Sequence, residues 1–318
     1  MSTAYIETFS TTPGESGHTG DIFALAVCKK YFFSAGADGQ VLAWDNLTKE
    51  QAVVGHNRSG VHHLSANDNY VCAIFFDGSA GIWNAETLEP IDVKTPKAVW
   101  ACALSEQINA VVLATIDAKI HVIDLREKLE LIKIDGPSTG ASALSVDITA
   151  DGKFVALGLS TGTVTIYSTD TGSLYYTLPL RSIPACSVKF NPMGSMLAVA
   201  GEIDTIYLYS LNGGNLIGTL IGHSMRLFSI SWNFTGEYLL SVSHDKTAKI
   251  WSMESRACVC TLNDATEPLF ACVYVPLGDS PAFVGTSHQG VATAGADSTI
   301  RWYREASGAS GASIKVVA

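Results

Sequence analysis

The chain alternates short apolar runs with polar breaks along nearly its whole length. IFALAV, FFSAG and VLAW follow one another between residues 22 and 44, and LFSISW, YLLSVS and AKIW do so between 227 and 251. Runs this short, with alternation of period two and bounded by Gly, Asp, Asn and Ser, predict strands joined by tight turns. No stretch carries the three-to-four spacing of an amphipathic helix.

The strand pattern repeats. The clearest unit opens on Gly222-His223, runs through LFSISW, turns at Thr235-Gly236 and closes with YLLSVSHDKTAKIW at Trp251. Gly17-His18 opens a unit that ends at Trp44, and Gly55-His56 opens one that ends at Trp83. An aspartate stands shortly before each tryptophan: Asp38, Asp77 and Asp245. Weaker copies fill the intervals. One places Asp117, one has Thr161 and Tyr167 at the Asp and Trp positions, one ends at Tyr209, and the last places Asp297. The result is seven units at a period of roughly 40 residues, the length of one four-stranded propeller blade.

These marks resemble the WD40 family, specifically in units 1, 2 and 6, whereas units 4 and 5 depart from the pattern, lacking the Gly-His, the Trp-Asp and a clear turn Asp. The resemblance implies an all-β, seven-bladed WD40 β-propeller. In such folds Trp, Ser, His and Asp form a buried hydrogen-bond chain in which each donor has a partner. Here the sets are His18, Ser34, Asp38 and Trp44 in unit 1, and His223, Ser241, Asp245 and Trp251 in unit 6. Unit 2 has Ala73 at the Ser position, so its chain is expected to be incomplete. A set that recurs from unit to unit is structural, not a catalytic triad. The last unit ends its third strand at TIRWYRE, and AYIETF alternates ahead of the first Gly-His. Residues about 4–9 are therefore expected as the outer strand of the last blade, closing an otherwise open edge. Residues 1–306 read as one propeller and 307–318 as a mobile tail.

A WD40 propeller offers its partners the rim where loops meet the channel. The residue after the first β-branched position of each inner strand is expected to point there. Those residues are Phe23, His62, Trp100, Leu144, Cys186, Phe228 and Phe270. A second ring, just before the turn Asp, includes Phe76 and His244. Clustered exposed aromatics mark an interaction site. Asp21, Asp117, Asp264 and Glu267 are placed near the same rim. An aromatic platform beside carboxylates suits an arginine through stacking and charge-assisted hydrogen bonds. The partner is thus expected to be a short peptide with an Arg and an apolar anchor. His62-His63 is read with one imidazole up and one toward the blade interior.

Composition narrows the function classes. Charged residues are 16% of the 318, apolar residues 47%, and the formal charge is −10. The acidic balance and the isolation of Lys29-Lys30 and Arg181 argue against direct nucleic-acid contact. No apolar run is long enough for a membrane helix, and the first residues lack a signal-peptide pattern. Seven scattered cysteines suit reduced thiols in a cytoplasmic or nuclear protein. Cys258-Val-Cys260 reads as strand packing. Axis-facing positions read as apolar, which disfavours a channel metal and the hydrolytic chemistry it supports. No metal, cofactor or enzymatic activity is expected.

Several stretches are more specific. GHTGDIFALAVCKKYFFSAGADGQVLAWDN (17–46), SGVHHL (59–64), SVDITADGKFVALGLSTGTVTIY (145–167), SVKFNPMGSMLAVAGEIDTIYLY (187–209) and TIRWYREASG (299–308) resemble the WD40 subunits of fungal superkiller (Ski) complexes. That resemblance implies an adaptor that binds a tetratricopeptide scaffold and an RNA helicase, supporting exosome-dependent 3′-to-5′ decay of cytoplasmic mRNA. It also implies recognition of a Gln-Arg-x-x-apolar motif, and a second role in meiotic DNA double-strand-break formation through the meiotic DNA-breaking protein. A WD40 scaffold of a transcription-elongation or chromatin complex is the alternative.

Overall fold

The computed structural model describes residues 5–12, 17–137, 140–179, 183–276 and 290–305. The described residues form 27 strands and no helix. Seven antiparallel sheets stand around one axis as a seven-bladed β-propeller. The innermost strands are β2 (Ile22–Val27), β6 (Val61–Ala66), β9 (Val99–Ser105), β13 (Ala143–Ile148), β17 (Ser187–Phe190), β21 (Leu227–Trp232) and β25 (Leu269–Val275).

Apolar side chains bury themselves between blades. Seven core clusters are present, one at each seam. The middle strands of a blade face a neighbour on both sides, so strands such as β7 (Tyr70–Phe75) and Ala110–Thr115 are buried at every position. This is why so few charged residues occur: a charge placed there would be desolvated without compensation.

The ring closes through the N-terminus. β1 (Tyr5–Ser10) pairs antiparallel with β27 (Ile300–Glu305), and the last blade runs β1, β27, β26 (Gly290–Gly295), β25. This is the outer strand anticipated over residues 4–9, with Ala4 outside the described residues. Trp302 anchors the closure. Its ring lies 5.2 Å from Phe9, 4.9 Å from Phe32 and 6.0 Å from Trp44, tying the last blade to the first. The boundary at residue 306 and the tail at 307–318 lie outside the described residues.

One blade departs from four strands. The second has only β6, β7 and β8 (Ala80–Asn84), with a single bridge from Trp83 to Pro90. Ile91 donates its N–H to Ile82, and Asn84 donates to Glu89, but Pro90 has no N–H with which to extend a ladder. The tight turns are also dictated locally. Gly39 has φ +77°, and a Cβ there would lie 1.7 Å from the carbonyl oxygen of Asn57, so Asp38-Gly39 tolerates no side chain at its second position.

Candidate functional site

The hydrogen-bond sets fix the loops that carry the rim. In blade 6, Trp251 Nε1 donates to Ser241 Oγ at 2.8 Å. His223 Nε2 lies 2.8 Å from the same oxygen, and His223 Nδ1 lies 2.8 Å from an Asp245 carboxylate oxygen. One proton arrangement satisfies all of them. The Nδ1–H donates to Asp245, leaving Nε2 to accept from the Ser241 hydroxyl, whose oxygen accepts from Trp251. His223 is then neutral, in keeping with burial, which lowers its pKa against the pull of Asp245. Burial would raise the Asp245 carboxyl, but hydrogen bonds from Thr247, Ser224 N–H and His223 outweigh it and hold the pKa at about 2.

Blade 1 repeats the geometry. His18 Nε2 to Ser34 Oγ is 2.8 Å, Trp44 Nε1 to Ser34 Oγ is 2.9 Å, and His18 Nδ1 to Asp38 is 2.9 Å. In blade 2 the arrangement is absent. His56 is exposed, and Asn57 donates to Asp77 instead. In blade 7 an ion pair stands there, with Arg301 2.7 Å from Asp297.

The rim has a common structural cause. In six of the seven inner strands, pairing with the next strand skips one residue: Phe23, His62, Trp100, Leu144, Phe228 or Phe270. The seventh strand, β17, begins directly after Cys186. A β-bulge opposes two residues to one and re-aims the extra side chain. All seven rim residues are half-buried and line the mouth of a central channel of about 660 Å³.

Five of the bulged side chains, joined by Phe76 of the second ring, form a continuous aromatic chain across five blades. Trp100 stacks on His62 with ring centres 4.3 Å apart, and His62 lies 4.9 Å from Phe76. Phe76 meets Phe23 edge-on at 5.6 Å, Phe23 lies 5.4 Å from Phe270, and Phe270 meets Phe228 edge-on at 4.9 Å. His244 ends the chain, 6.2 Å from Phe228. Leu144 and Cys186 complete the ring on its non-aromatic side. Burial, with a smaller contribution from His63, brings the His62 pKa down to about 3. The His62 imidazole is therefore neutral at physiological pH.

The platform already carries one guanidinium. Arg226 lies over the Phe228 ring, 4.9 Å from its centre. Sequence reasoning did not single out Arg226, Glu202 at the channel mouth, or the exposed Ile116 and Met225. A signal for Ile116 and Glu202 was present, since each holds the pre-turn position that Phe76 and His244 hold in their own blades.

Three sequence expectations need correction. The axis is not uniformly apolar: below the rim the channel is lined by His63, Ser65, Ser145, Asp147, Lys189 and Ser229, with Lys189 and Asp147 paired at 3.1 Å. One face of an inner strand meets the channel, so polar side chains there need no buried partner. Two of the four acids near the rim already have cations: Asp117 pairs with Lys119, and Glu267 lies 3.6 Å from Lys246. His63 does not enter its own blade but reaches across the seam to Cys102 of blade 3. Among the described residues, no group of three or more His, Cys, Asp or Glu is placed to hold a metal ion.

Comparison with known proteins agrees with this geometry. The family described as "WD domain, G-beta repeat" matches residues 9–45 and 214–252, which contain the two complete hydrogen-bond sets. The meiotic recombination protein rec14 of Schizosaccharomyces pombe is 29% identical over 186 residues. The match covers 55% of this chain and 61% of that protein, less than two thirds of its length. Propellers of this kind generally mediate protein–protein interaction and are typically non-catalytic. The chain carries WD40 repeats at these two places, residues 9–45 and 214–252, in a seven-bladed β-propeller.

Proposed function

We propose that the protein is a non-catalytic adaptor whose aromatic rim docks a short partner peptide carrying an arginine and an apolar anchor. The carrying observation is the unbroken aromatic chain from Trp100 to Phe228, aimed by bulges and half exposed at the channel mouth. Arg226 over Phe228 is an internal instance of the same contact. Aromatic faces attract a guanidinium electrostatically, and the acidic net charge steers a cationic peptide toward the surface.

In this reading the protein is the WD40 subunit of a superkiller complex. It holds a tetratricopeptide scaffold and an RNA helicase together in support of cytoplasmic mRNA decay, and touches neither nucleic acid nor membrane itself. A second, nuclear role in meiotic DNA-break formation would use the same rim for a Gln-Arg-x-x-apolar motif. Similarity to a meiotic recombination protein supports that second role. The test is co-expression of the chain with the tetratricopeptide and helicase subunits, in wild-type form and as Trp100→Ala with Phe270→Ala. Wild type should co-purify with both and the double variant should lose them. Equal recovery of both subunits by the two forms rejects the rim as the docking site. Recovery of neither subunit by wild type rejects the assignment to that complex.

A further inference from the structure

Cys72 and Cys102 face each other across the seam between blades 2 and 3. Both are fully buried and belong to one core cluster. Cys102 Sγ lies 3.6 Å from the carbonyl oxygen of Cys72, and each thiol bears on the other's ionisation. A third group completes the cluster. His63 Nδ1 is 3.4 Å from Cys102 Sγ and accepts the backbone N–H of Cys102 at 3.4 Å. Accepting that N–H requires an unprotonated Nδ1, so the imidazole's basic nitrogen is the one aimed at the thiol. His63 also lines the central channel, which gives a water-sized oxidant an approach to the seam.

We propose that Cys102 and Cys72 are a hydroperoxide-oxidisable thiol pair, with His63 as the base, closing a disulfide between blades 2 and 3. In the first step His63 takes the Cys102 thiol proton and the sulfur attacks one peroxide oxygen. An S–O bond forms, the O–O bond breaks, and the departing hydroxide takes the proton from His63 and leaves as water. In the second step the Cys72 sulfur attacks the Cys102 sulfenic acid. An S–S bond forms, the S–O bond breaks, and a second water leaves with the Cys72 proton. Two thiols are oxidised and one peroxide is reduced.

The two sulfurs divide these roles. Cys72 is pushed up by its hydrogen bond to Cys102 and by burial. For Cys102 burial works the other way from the Cys72 thiol and His63, which together hold it down. The base His63 stands against Cys102 Sγ at 3.4 Å, which makes Cys102 the attacking thiol and Cys72 the resolving one. Burial makes the reaction slow and confines it to small oxidants. The bond would lock the same seam across which His62 stacks on Trp100.

The experiment treats the purified full chain with excess hydrogen peroxide, blocks free thiols after unfolding, and maps linked peptides by mass spectrometry without reductant. A Cys72–Cys102 peptide should appear, vanish after reduction, and be absent from Cys72→Ser. His63→Gln should slow its appearance at least about tenfold, the low side of what a positioned base contributes. Full alkylation of both thiols after prolonged peroxide, or linkage of Cys102 to another cysteine instead, overturns the pair. A linked peptide formed at an unchanged rate in His63→Gln overturns the role of His63.

Discussion

Replacing Ser241 by alanine removes a single oxygen from a fully buried site, yet that oxygen serves two partners. Trp251 Nε1 and His223 Nε2 both lie 2.8 Å from it, and Trp251 and His223 are 1% and 4% exposed. Alanine nearly fills the space, so the cavity cost is minor. What remains is a buried indole N–H without an acceptor and a buried imidazole nitrogen without a donor. Leaving one such group unsatisfied costs about 1–3 kcal/mol, so Ser241→Ala should cost about 2–6 kcal/mol. At about 2 °C per kcal/mol for a chain of this size, the unfolding midpoint should fall by about 4–12 °C in a calorimetric scan. Ser34→Ala in blade 1 should behave alike, because its geometry is the same. A fall below 1 °C in both variants would refute the idea that these chains hold the loops in place.

Trp302→Ala should cost about 3–5 kcal/mol, since its 4%-exposed ring joins the closing blade to blade 1; chemical denaturation measures this, and a loss under 1 kcal/mol would contradict it. Deleting residues 1–10 should remove the strand paired with β27 and raise the rate of aggregation, read by light scattering, because the exposed edge can pair with other chains. Stability should fall as pH drops from about 6.5 to about 3. His62 and His223 have folded pKa values below their unfolded ones, so their contribution is fully present above the unfolded value and is lost on acidification. Asp245 adds a further loss between about 4 and about 2. His62→Phe should shrink the loss between pH 6 and pH 3, and an identical profile would exclude His62 as a contributor.

Much of the fold was legible in the sequence because each blade is specified locally. The Gly-His, turn Asp and closing Trp recur where a hydrogen-bond chain needs them, and His18 pairs with Asp38 and His223 with Asp245 as the WD40 resemblance implies. The closing strand was readable for the same reason: an alternating segment stands ahead of the first unit. What could not be read depended on contacts between blades. The loss of a fourth strand in blade 2 turns on whether Pro90 falls at a hydrogen-bonding position, which register decides. The bulges were anticipated only as a pointing direction, and the order Trp100, His62, Phe76, Phe23, Phe270, Phe228 is set by ring closure between residues distant in sequence. The partners of Asp117 and Glu267 are exposed lysines whose proximity depends on loop geometry, and the reach of His63 to Cys102 crosses a seam that no local pattern encodes.

The central claim is that the bulge-aimed aromatic rim binds an arginine-bearing peptide. The most direct measurement is the affinity of a labelled peptide containing Gln-Arg-x-x-Leu for the wild-type chain, Trp100→Ala and Phe270→Ala, by fluorescence anisotropy. Loss of a buried aromatic anchor at about 2 kcal/mol predicts dissociation constants about thirtyfold weaker in each variant. Replacing the peptide's arginine with alanine should weaken binding to wild type to a similar degree. Unchanged affinity in both variants would contradict the account.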